Sequence, residues 1–111
     1  MINIDDFAKV EMKVGLVTKA ENVEKSEKLI RLQVDFGGDD QRTIFTAVRT
    51  LGFITDDFTD KQFVFVTNLE PRKMMGEESQ GMILAADANV DGQEKPFFIT
   101  AEGLPLGAKV G

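Results

Sequence analysis

Between residues 30 and 36 the chain reads IRLQVDF, with Ile30, Leu32, Val34 and Phe36 alternating against Arg31, Gln33 and Asp35. Side chains on a strand point to opposite faces in turn, so this run demands a strand with one buried face. Its neighbours must then be strands too. Gly37-Gly38-Asp39-Asp40 is a turn signal, and TIFTAV at 43–48 follows it as the third strand. Upstream, Val10, Met12 and Val14 alternate with Glu11 and Lys13, and the run continues past Gly15 as LVTKA. A glycine inside a strand pattern predicts a bulge or a sharp bend of the kind found at a barrel corner. The polar segment ENVEKSE, residues 21–27, reads as the loop between the first two strands.

Residues 49–61 lack alternation, and TDDF at 55–58 predicts a short helix with Thr55 as N-cap and acids in the following turn. QFVFVTN at 62–68 and GMILAAD at 81–87 are the fourth and fifth strands. ANVDGQEK reads as a polar loop with an Asp-Gly turn, PFFIT at 96–100 as a further strand, and the Gly- and Pro-rich tail as irregular. The expected fold class is all-β: a five-stranded Greek-key barrel of the OB type with a short helix between strands three and four. A β-sandwich accommodates the same strand count, but the Gly15 bend and the helix position favour the barrel. Phe63 and Phe65 lie on one face of strand four and Val64 and Val66 on the other, while residues 82–86 are apolar throughout. Both faces of these strands therefore want cover. Either a second subunit or the segment 96–110 can supply it, and the first alternative predicts a homodimer.

Length and composition bound the rest. A chain of 111 residues, 42% hydrophobic and 29% charged, fits one globular domain spanning 1–111. No apolar run approaches the roughly 20 residues of a membrane span, and the acidic opening MINIDDFAKV does not read as a signal peptide. The absence of Cys and His excludes thiolate and imidazole metal sites and His-based catalytic triads, and agrees with a cytoplasmic location. Ser–Lys or two-carboxylate chemistry stays open in principle, although no phosphate-binding loop is present. The net charge of −6 argues against nucleic acid, but residues 7–31 carry a local balance of +2 and residues 32–62 one of −3. A local cationic face can attract phosphate on a molecule that is acidic overall.

The densest stretch is NLEPRKMMGEESQGMILAA, residues 68–86. Pro71 stiffens a turn that carries Arg72 and Lys73. Arg72 can meet a phosphate, or tie its own loop through Glu70 or Glu77; Lys73 is the freer cation. Ser79 can meet a ribose hydroxyl or cap its own loop, and Met82 can contact a sugar or base or simply fill the core. Lys28 and Arg31 stand three apart, a spacing that points to opposite faces of a strand unless Lys28 still lies on the loop. The nine Phe can include a base-stacking platform, with none singled out.

This stretch resembles the signature of the tRNA-binding domain found at the C-terminus of many methionyl-tRNA synthetases and as a free-standing bacterial protein. DFAKVEMKVGLVTKAENVEKSEKLIRLQVDFG, residues 6–37, resembles the family's opening segment, and LPLGAKVG its closing one. The chain departs at IFTAV, 44–48, where the family usually carries a Gly-rich segment, and at Glu24–Glu27, where Pro-Gly-Ala is common. The resemblance implies an OB-fold, usually dimeric, that binds folded tRNA by shape and backbone contacts without catalysis, cofactor or metal. It places RNA contacts at Lys28, Arg31, Asn68, Arg72, Lys73, Ser79 and Met82. The implied partners are tRNA, a second copy and an aminoacyl-tRNA synthetase. The alternative is a homodimer of the same fold that holds unfolded chains as a secretion chaperone does.

Overall fold

A computed structural model describes residues 1–111, and its regular secondary structure is mostly β. A single helical turn, α1 (Ile4–Phe7), is capped by the Asn3 side chain, which accepts from the Asp6 N–H at 2.9 Å. Strand β1 (Met12–Asn22) follows, then β2 (Ile30–Asp35) and β3 (Gln41–Thr46), joined as an antiparallel meander. Strand β4 (Gln62–Val66) returns to pair with the first half of β1. Two short strands, β5 (Arg72–Met74) and β6 (Glu77–Ser79), form a hairpin of their own, and β7 (Met82–Ile83) adds to β4. A second hairpin, β8 (Ala85–Val90) and β9 (Gln93–Phe98), stands apart, and β10 (Lys109–Val110) pairs with the start of β1. The main sheet runs in the order β3-β2-β1-β4-β7, and it curls into a nearly closed five-stranded Greek-key barrel of the OB type.

Closure comes from the segment between β6 and β7. The Ser79 hydroxyl oxygen accepts from the Phe45 N–H at 3.1 Å, and Gln80 Oε1 accepts from the Thr43 N–H at 3.1 Å. The Gln80 N–H donates to the Thr43 carbonyl at 2.8 Å. Two side chains and one backbone group thus satisfy an edge of β3 that would otherwise be unpaired. Gly81 lets the segment lie this close: a Cβ there would come within 2.8 Å of the Val66 carbonyl oxygen, and its φ of +151° disfavours other residues.

The alternating run of β2 buries Ile30, Leu32 and Val34 as its pattern demands, with Phe36, Ile44, Phe58, Phe63 and Phe65 in the same core. The Phe58 ring lies 5.1 Å from Phe98 and 5.9 Å from Phe63, in the tilted and edge-on arrangements aromatic pairs prefer. Val64, on the other face of β4, packs with Val14 and Ala101, flanked by Leu106, Ala108 and Val110. Cover for the second face of β4 therefore comes from the chain's own tail.

The structure departs from sequence expectation at several places: the expected fifth strand, 81–87, is divided at Leu84 between β7 and β8, and the tail expected to be irregular carries β10. Register slips between Val17 and Lys19, not at Gly15; Gly15 is instead a point of close packing, where a Cβ would meet Val34 at 2.6 Å and Phe36 at 2.8 Å. Two 3-10 turns, Arg49–Leu51 and Thr55–Asp57, occupy the helical position between β3 and β4. Thr55 is inside the second turn and does not cap it; the Asp57 carboxylate accepts from the Ile54 N–H at 2.8 Å. The stretch 88–95 is part of the β8–β9 hairpin, with Asp91 and Gly92 (φ 53° and 81°) as its turn.

The closing seam makes Ser79 a stability residue. Ser79→Ala leaves the buried Phe45 N–H without an acceptor, a loss of about 1–3 kcal/mol. Chemical denaturation should show a lowered midpoint with an unchanged slope, and an unshifted midpoint would contradict the seam.

Candidate nucleic-acid interface

The face built by the β5–β6 hairpin gathers most of the residues singled out in the sequence. Pro71 leads into β5, and Met75 and Gly76 form the two-residue hairpin turn, both with positive φ (52° and 83°). That is the backbone a tight right-twisted hairpin requires, although methionine rarely adopts it. Arg72 faces Ser79 in the hairpin register and Lys73 faces Glu78.

Arg31 anchors the hairpin to the barrel. Its Nε donates to both Glu77 carboxylate oxygens at 2.8 and 2.9 Å, and its Nη2 lies 2.7 Å from Glu77 Oε1. Its Nη1 donates to Glu21 at 3.1 Å. The guanidinium is 25% exposed, so it is partly desolvated and held between two carboxylates. The hydrogen bond from Arg31 holds the Glu77 carboxyl below its usual pKa, and the same bond raises the guanidinium's. The tie that sequence reasoning sought between Arg72 and Glu77 is thus made by Arg31. Arg72 itself enters none of the ion pairs of the chain.

The other candidates divide by role. Lys28 is exposed and precedes β2 on the loop, the position that frees it from the opposite-face constraint. Its backbone is shaped by Ser26, whose hydroxyl accepts from the Lys28 and Leu29 N–H groups, and by Arg49, which donates to the Val23 and Ser26 carbonyls. Sequence reasoning missed Arg49, because nothing local marks an arginine that caps a distant loop. Asn68 clamps the N-terminal arm: its Oδ1 accepts from the Glu11 N–H at 2.8 Å and its Nδ2 donates to the Lys9 carbonyl at 2.6 Å. Ser79, 6% exposed, is occupied by the barrel seam. Met82 is 46% exposed, so of the two roles open to it in the sequence, filling the core is not the one this edge position gives it. Lys73 is exposed and unpaired.

Between hairpin and barrel lies a cleft of about 370 Å³. Phe45, Met74, Ser79 and Gly81 line it, with Leu69, Glu70, Arg72 and Met82 exposed around it. The face therefore combines an apolar concavity with exposed cations, on a protein whose overall charge is −6.

The same segments carry the likeness to known proteins. Residues 12–109 match the family described as "Putative tRNA binding domain". The chain is 41% identical over 110 residues to methionine–tRNA ligase of Methanocorpusculum labreanum and 40% identical over 111 residues to that of Methanococcus aeolicus, in each case over 99% of its own length. It spans 15% and 16% of those two ligases. Among solved structures it is similar to the MetRS related protein from Pyrococcus horikoshii, with 41% identity and a TM-score of 0.87 over 100% of this chain and 98% of that one. It is also similar to chaperone CsaA from Bacillus anthracis, with 29% identity and a TM-score of 0.78 over 100% and 99% of the two chains. The chain belongs to the family of tRNA-binding domains related to the C-terminal domain of methionyl-tRNA synthetases.

Because its folded pKa is depressed, Glu77 contributes stability that is present above about pH 4.3, its unfolded value, and lost as pH falls through the folded value. Its side chain is 41% exposed, so solvent screening keeps the contribution under about 1 kcal/mol. Glu77→Gln should lower the melting temperature slightly at pH 7, with the gap to the unsubstituted protein closing in acid. A gap that persists at pH 2 would contradict the ion pair.

Proposed function

We propose that residues 1–111 act as one non-catalytic unit that binds folded tRNA by shape and phosphate contacts at the β5–β6 face. Lys28, Arg72 and Lys73 neutralise phosphates, and Met82 lies against sugar or base. Arg31, Asn68 and Ser79 support that rim: Arg31 holds the hairpin, Asn68 the N-terminal arm, and Ser79 the barrel wall. The observation that carries this reading is the exposed, unpaired Arg72 at the cleft, with the exposed, unpaired Lys73 next to it on the same hairpin of an acidic chain. Lys28 joins them as an exposed, unpaired cation on the loop that leads into β2. Among the other cations, Lys9 pairs with Asp6, Lys13 with Glu11, Lys19 with Glu21, Arg31 with Glu77 and Arg42 with Asp40, whereas Lys25, Lys61, Lys95 and Lys109 are without an ion pair in other segments of the chain.

The unit works as a homodimer in the cytoplasm, assisting a methionyl-tRNA synthetase or appended to one. Appending such a domain raises the local concentration of tRNA at the enzyme. The support for a dimer has moved from strand β4, which its own tail covers, to the N-terminal arm. There Ile2, Ile4, Phe7 and Val10 are exposed together, in a segment with no buried residue. A second reading, a chaperone-like protein-binding dimer, is favoured by the apolar lining of the cleft and by the likeness to chaperone CsaA.

Filter binding with bulk tRNA at several salt concentrations tests the proposal. Three phosphate contacts predict a log–log salt slope of about −2 to −3, and Lys28→Ala with Lys73→Ala should reduce its magnitude by about 2. Sedimentation equilibrium of the same sample should give about twice the 12.3 kDa chain mass. Binding of unfolded polypeptide with none of tRNA would instead support the chaperone reading.

A further inference from the structure

The cleft beside the β5–β6 hairpin differs in chemistry from the phosphate-binding rim. Phe45 is the only aromatic residue of its lining, and Met74 and Met82 bring two thioethers. The hydroxyl of Ser79 is already engaged by the Phe45 N–H, so it offers little to a ligand. Two further polar groups border the cleft, the Glu70 carboxylate and the Arg72 guanidinium, and both are exposed. Neither takes part in an ion pair, with the other or with any residue of the chain. A carboxylate and a guanidinium held two residues apart by Pro71 without pairing are both available to a bound molecule.

We propose that this cleft receives one unstacked base of the bound RNA, and that the base is a guanine. The inference rests on the tRNA-binding reading given above. A volume of about 370 Å³ accommodates a single nucleoside. Aromatic and thioether surfaces suit the face of a base, and sequence-selective RNA readers characteristically take bases splayed from loops onto such surfaces. The polar pair selects among bases. Guanine presents two adjacent donors, N1–H and the N2 amino group, along one edge, and two adjacent acceptors, O6 and N7, along another. A carboxylate accepts from the first pair, and the Arg72 guanidinium donates to the second through one edge while its remaining N–H groups stay free for a neighbouring phosphate. Uracil has a single ring N–H to offer. Cytosine and adenine set a ring acceptor beside their amino group, and that lone pair would face the second carboxylate oxygen. An apolar peptide side chain would use the lining and leave Glu70 and Arg72 without a role.

Methyl-labelled methionine provides the test, because Met74 and Met82 line the cleft while Met12 packs against the second core cluster on β1. The whole chain is titrated separately with the four nucleoside 5′-monophosphates and with an unstructured apolar peptide, and its methyl resonances are followed by NMR. Ring currents from a bound guanine should move the Met74 and Met82 signals and leave Met12 in place. Guanosine monophosphate should bind about tenfold more tightly than the other three, the discrimination a well-matched pair of contacts provides. Glu70→Gln should abolish that preference while the Met12 signal reports an intact fold. Equal shifts with all four nucleotides, shifts with the peptide alone, or no shift at millimolar guanosine monophosphate would each overturn the proposal. If the Met74 and Met82 signals stay still while bulk tRNA is retained on filters, the base site is refuted and tRNA binding stands. If tRNA itself is not retained, the reading beneath it has failed.

Discussion

Three hydrogen bonds between β3 and the Ser79–Gln80 segment hold the barrel shut, and the candidate face at the β5–β6 hairpin depends on them. A five-stranded sheet with this order has a free edge at β3 and an unfinished end at the short β7. Left open, those backbone groups would need water or another chain. The Ser-Gln-Gly sequence covers them with two side chains and a backbone that can come close. Gly81 is indispensable to that approach, since both its φ and its contact with Val66 leave no room for a Cβ.

With the seam closed, the β5–β6 hairpin stands where Arg31 can reach Glu77 from the neighbouring strand β2. That pair ties the β5–β6 hairpin, which like β8–β9 forms a two-stranded sheet of its own, to strand β2 of the barrel. Phe45 is the register partner of Arg31 on β2 and donates its N–H to Ser79. The cleft thus inherits its geometry from both the seam and the ion pair. A division of labour follows. Residues whose polar groups are satisfied inside the protein, namely Arg31, Asn68 and Ser79, shape the face. Lys28, Arg72 and Lys73, exposed and without an ion pair, are the residues proposed to meet a polyanion.

The barrel was legible wherever a strand has one face in the core. The alternation of Ile30 to Phe36 gave β2 within a residue, and QFVFV gave β4. The β5–β6 hairpin was not legible, and β8–β9 only at its Asp-Gly turn and its ends within 81–87 and 96–100, for the opposite reason. Neither face of β5–β6 or of most of β8–β9 is covered by the core, so polar residues fall on both sides and no period of two appears. Only the turn pairs, Met75-Gly76 and Asp91-Gly92, mark them, and a methionine in the left-handed region is not a signal that propensity supplies. The candidate residues were named in the sequence by their likeness to a family motif, but the partners their side chains take in the fold were not legible there. Whether Arg72 or Arg31 takes Glu77 depends on strand register, which local sequence does not carry. The exposure of Met82 likewise follows from its place on a two-residue edge strand rather than from its apolar neighbours.

A protein with net charge −6 meets a polyanion through local cationic surface, and the adjacent, unpaired Arg72 and Lys73 make the hairpin face the candidate for it. Hydrogen exchange measured with and without saturating bulk tRNA tests that placement most directly. Added protection confined to residues 24–31 and 69–82, with the β8–β9 hairpin unchanged, is the predicted result. Protection centred on residues 85–98, or no change anywhere under conditions where tRNA is bound, would contradict it.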